Sequence, residues 1–193
     1  MKQVMWTLLA MIAAISLAVI IRGSMYVHEV RRQEAQIQQA IEQLALPGFT
    51  LARKPEPIPT SKIWTAWLLE PFPSIRSFFE LASGDLYWYP GQKVIMSTVY
   101  RTEEAPATIR SHYLEQFQPI HNTSLFDGGY ALSVQVEDVL LHLSIGPRDF
   151  MPDGEIYHAN PTGSFGTRAN AVDILAAIPS AAELEQIKAY PIP

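Results

Sequence analysis

The run Val4 to Ile21, VMWTLLAMIAAISLAVII, has only Thr7 and Ser16 as polar residues, and no charge falls between Lys2 and Arg22. A helix of this length rises about 1.5 Å per residue and covers roughly 27 Å, close to the hydrocarbon thickness of a bilayer. Trp6 suits one interface and Arg22 the other. The chain is therefore expected to divide into a short tail (1–3), a transmembrane helix (4–21) and a longer stretch of mixed polarity. The competing reading is a cleaved signal peptide, because Ser16-Leu17-Ala18 has the small-residue pattern of a cleavage site. Cleavage there would leave Val19-Ile20-Ile21 at the new terminus, and the run outlasts an ordinary signal core of about 7–15 residues. A retained single-pass anchor is the expectation.

Orientation follows less directly. Arg22, Arg31 and Arg32 outweigh Lys2 and the amino terminus, which taken literally favours a cytoplasmic domain. The short basic lead, apolar core and polar body have the form of a signal-anchor, and on that ground the domain is expected on the extracytoplasmic side.

Residues 22–46 read as a juxtamembrane stalk helix stopped by Pro47-Gly48. Val30, Ile37 and Leu44 recur every seven residues, with Glu34 and Ile41 between them, so one apolar stripe runs along a Gln/Glu/Arg-rich helix. A helix this polar needs a partner: the domain below it or a neighbouring membrane protein. Lys54-Pro-Glu-Pro-Ile-Pro-Thr60 is a stiff extended linker. Aromatics then concentrate, including Trp64, Trp67, Phe72, Phe78 and Phe79, where Pro71 and Pro73 interrupt regular structure. Such residues fill cores, but Trp and other aromatics are also favoured at protein and bilayer interfaces.

Residues 47–146 read as an α+β domain. Phe49 to Arg53 and Lys93 to Arg101 are expected strands, the latter rich in β-branched residues. Pro106 suits a first helical position, and Ile109, His112, Tyr113, Gln116 and Phe117 lie on one side of a helix ending at Pro119. Tyr130 to Val136 alternates, Glu137-Asp138 reverses the chain, and Val139 to Ile145 returns as a second strand. This order predicts an antiparallel sheet with one packed helix. Residues 147–193 read as a C-terminal extension: a loop from Arg148 to Thr167, a short helix over Asn170 to Ile178, and a second from Ser180 to Tyr190 with Glu183 completing a capping box.

The formal charge of −5 argues against a nucleic-acid partner, and the absence of cysteine removes disulfides and thiolate metal sites. Among His28, His112, His121, His142 and His158 no two stand at i, i+2 or i, i+4, so no local metal pair exists. Asp149, Asp153, Gly154 and Glu155 lack the alternate carboxylates and closing glutamate of a calcium loop. Gly163-Ser-Phe-Gly166 is neither a nucleophile elbow nor a phosphate loop. No catalytic residue, metal or cofactor is expected, and an enzyme would have to assemble its site from distant residues such as His142 or His158 with Asp149 or Asp153.

The expected function is a non-catalytic accessory subunit of a larger membrane complex, of the respiratory or photosynthetic kind. Other membrane subunits and the bilayer would be its partners, met through Trp6, Val30, Ile37, Leu44, Trp64, Trp67, Phe72, Phe78 and Phe79. The alternative is a membrane-tethered binding module for a small apolar ligand or peptide, held between the sheet and the aromatic stretch.

Overall fold

A computed structural model of the chain describes residues 2–69, 71–72, 94–125, 128–150 and 167–189. They form an α+β fold: α1 (Lys2–Gln43), β1 (Thr50–Arg53), α2 (Thr60–Leu69), β2 (Ile95–Thr102), α3 (Pro106–Gln116), β3 (Pro119–Ser124), β4 (Tyr130–Val136), β5 (Val139–Phe150), β6 (Thr167–Ala177) and α4 (Ala181–Ala189). The chain resolves into two compact units, Met1–Gln33 with Ile58–Gln92, and Glu34–Pro57 with Lys93–Pro193.

In the first unit the apolar run and most of the expected stalk belong to one helix, since Gly23-Ser24 does not interrupt α1. Its most apolar window has a mean hydropathy of 2.6 with no residue buried, so α1 is long and apolar enough to cross a membrane. α2, where prolines suggested irregular chain, is a ten-residue helix ending two residues before Pro71. Its Ile63 and Ala66 are buried, and Thr60 at its start accepts a hydrogen bond from the Arg31 guanidinium at 2.7 Å. Gly23 is the seat of Trp64, because a Cβ built there would lie 1.9 Å from the indole ring.

The second unit is a six-stranded antiparallel sheet in the order β1-β2-β6-β5-β4-β3. One face is the core. Leu141, Leu143 and Ile145 of β5 stand opposite Ala176, Ile174 and Val172 of β6, and opposite Val134 and Leu132 of β4, all buried. α3 covers this face with Ile109 and Tyr113, both fully buried. No side chain caps α3; Pro106 at its start needs no backbone donor satisfied. Arg110 fixes the helix to the β3–β4 edge, donating to Asn122 Oδ1 at 2.9 Å and lying 4.8 Å over the Tyr130 ring. The last turns of α1 belong to this unit, with Ile37, Ala40, Ile41 and Leu44 buried.

Three expectations need correction. Asn170–Ile178 is not a helix: all but its last residue lies in β6, a central strand bonded to β2 on one side and β5 on the other. Its Ala and Leu content suits a helix locally, but two full ladders of backbone bonds outweigh so small a propensity. The sheet also does not stop at Gly146-Pro147, because β5 runs on to Phe150. Two pieces of the stretch read as an extension, 148–150 and 167–177, are therefore strands of the sheet. β3 is a further strand that the sequence reading passed over, opening on Pro119 at a sheet edge where its missing N–H costs nothing. The capping box of α4 is present, with Glu183 accepting from the Ser180 backbone at 2.8 Å.

Candidate functional site

The sheet face turned away from α3 carries two adjacent cross-strand rows. One runs His121, Ser133, His142, Leu175, Ser97; the next runs Thr123, Ala131, Ser144, Asp173, Val99, Arg53. All eleven line one cleft of about 680 Å³. At one end this face closes where Phe150 packs with Val99 and Ala171.

Two irregularities of register put basic side chains on this face. Pro119 pairs with Val134 on the core side, and in an unbroken strand His121, two residues on, would share that side. The register shift between them sets His121 opposite Ser133 instead. At the other sheet edge Leu51 pairs with Tyr100, and a second shift sets Arg53 opposite Val99. There the Arg53 carbonyl accepts a bond from Thr98 Oγ1 at 2.6 Å. Bulges of this kind re-aim side chains, and edges are where they concentrate.

The first row is a chain of hydrogen-bonding groups. Ser133 Oγ lies 2.8 Å from His142 Nδ1. Burial holds the His142 imidazole below its ordinary range, and the neighbouring His121 adds to the effect. His121 is 7% exposed, and its Nε2 is buried with no hydrogen-bond partner among the described residues. Arg148, which also lines the cleft, neutralises Asp173 of the second row: its Nε donates to Asp173 Oδ2 at 2.7 Å and its Nη2 to Ser144 Oγ at 3.1 Å. The result is an apolar floor crossed by neutral polar groups, with Arg53 at its rim. Such a surface suits a mainly apolar body with one or two hydrogen-bonding atoms.

Among the described residues no carboxylate is bonded to the His142 imidazole, whose partner is Ser133. A serine–histidine pair becomes a nucleophile and base when a third group orients the imidazole, and the cleft's carboxylate, Asp173, is held by Arg148. Asp149 falls on the opposite face of β5 from His142, while Asp153 and His158 lie outside the described residues. Among the described residues no three His, Cys, Asp or Glu side chains are grouped to hold a metal ion.

The residues expected at an interface are dispersed. Trp6 is exposed on α1, and Phe72 is exposed beyond α2. Trp64 and Trp67 are half-buried, edge to face with centroids 5.7 Å apart. Val30, Ile37 and Leu44 are at most 2% exposed within the chain. Val30 belongs to the first unit, and Ile37 and Leu44 to the second. Phe78 and Phe79 lie outside the described residues. The cleft itself was missed. Its one visible signal was the alternation that sets Ser133, His142 and Ser144 apart from the apolar positions of β4 and β5. The chain matches no protein-family model, no curated protein and no solved structure.

Proposed function

We propose that this chain is a membrane-anchored, non-catalytic binding module whose extracytoplasmic domain takes a small, largely apolar ligand on its open sheet face. The observation that carries this reading is the row His121–Ser133–His142 across a cleft floored by Val99, Ala131 and Leu175, with an imidazole nitrogen left buried and unpartnered among the described residues. A buried donor or acceptor without a partner costs about 1–3 kcal/mol, which a ligand's complementary group offsets. The test is mass spectrometry of small molecules that co-purify with the full chain, beside an Ala131→Phe variant that fills the floor. A molecule present with the wild type and lost from the variant supports the proposal. Its absence from both, or its retention by the variant, sinks it.

A second reading, an accessory subunit of a larger membrane complex, has its own observation. The apolar part of α1 is unburied within this chain, and Ala10, Ala14 and Ala18 stand four residues apart, a spacing that lets another helix approach closely. Gentle extraction and native-gel separation decide this one: co-migration with a large assembly in fixed proportion supports it, and migration alone rejects it.

A further inference from the structure

Where the apolar run of α1 ends, Arg22 has no hydrogen bond or ion pair among the described residues. It lines an open groove of about 710 Å³ together with Val19, Met25 and Tyr26 of α1 and Trp67 and Leu68 of α2. The groove is built rather than incidental. The missing side chain at Gly23 lets Trp64 lie against α1, the Arg31–Thr60 bond pins the start of α2, and Trp67 stacks edge to face on Trp64.

Its level is set by α1. Val19 belongs to the apolar run, and Arg22 lies three residues, about 4.5 Å, further along the axis. If α1 crosses a bilayer, the groove straddles the boundary between hydrocarbon and headgroups. Its contents follow the same gradient: aliphatic surface from Val19 and Leu68, an indole and a phenol suited to the interface, and one unpaired guanidinium. Among the described residues no carboxylate lines it. We propose that this groove seats one anionic lipid of the surrounding bilayer, its phosphate on Arg22 and an acyl chain along Val19 and Leu68. The occupant is a lipid rather than a peptide because the groove is continuous with the membrane-spanning surface. It is anionic because a zwitterionic headgroup brings a cation of its own, which finds no partner among the described lining residues.

The test uses the full chain with Trp6→Phe, which removes the indole at the far end of the span. It is reconstituted in phosphatidylcholine vesicles holding a minor fraction of either brominated phosphatidylglycerol or brominated phosphatidylcholine. Tryptophan quenching is expected to report a roughly fivefold enrichment of the anionic lipid, the factor that corresponds to about 1 kcal/mol for one basic residue at a membrane surface. Arg22→Gln should abolish that preference. Arg32→Gln should leave it, since Arg32 is exposed and paired with Glu29 at 2.8 Å. Equal quenching by the two lipids, no quenching by either, or a preference that survives Arg22→Gln would overturn the proposal.

Discussion

Tyr113 donates its phenolic hydrogen to the carbonyl of Leu44 at 2.9 Å, across 69 residues of sequence, and both side chains are fully buried. Leu44 follows the last residue of α1, where carbonyls lose their intrahelical donors. One side chain of α3 thus satisfies the end of α1, whose Ile37 and Ile41 are buried in the same unit.

Tyr113→Phe removes the donor and leaves a buried carbonyl unpaired, a loss of about 1–3 kcal/mol. The denaturant midpoint should fall with its slope unchanged. The same phenol makes the domain sensitive to alkali. Burial, and then the neighbouring Tyr100, push Tyr113 well above the ordinary value of 10.0. The unfolded chain gives up this proton near pH 10 while the folded chain keeps it, so the contribution is complete below that pH and declines as pH rises beyond it. Tyr113→Phe should flatten the alkaline limb of a stability–pH curve; an unchanged limb would assign the alkali sensitivity elsewhere.

His142 governs the acid side. Its imidazole is held below the ordinary 6.5, by burial first and by His121 second. Here the unfolded chain takes up a proton before the folded one, so stability is complete above about pH 6.5 and falls as pH drops through the depressed value. A nuclear magnetic resonance titration should find the His142 midpoint below 6.5, and His121→Gln should raise it.

Gly23 and Trp64 form a coupled pair. Alanine is ordinarily about 1 kcal/mol better than glycine inside a helix, but the added methyl would meet the Trp64 ring. Gly23→Ala should therefore destabilise the wild type and stabilise a Trp64→Ala background. A coupling of about 0.5–3 kcal/mol in the double-mutant cycle is expected; additivity would mean that Trp64 swings aside freely.

Features that depend on neighbours along the chain were legible in the residues alone. The Val4–Ile21 run, Pro106 opening a helix, the Ser180–Glu183 capping box and the alternation on either side of Glu137-Asp138 all appear where expected. Glu137 adopts a left-handed φ of 52° in that reversal, a conformation that a two-residue hairpin demands. Long-range pairing settles what local preference leaves open. Asn170 to Ala177 became a central strand because partners distant in sequence occupied both its edges. His121 and Arg53 reached the cleft through register shifts against β4 and β2, which no periodicity within a single strand records. The cleft exists because hydrogen-bond register between strands, rather than the composition of any one strand, determines which side chains share a face.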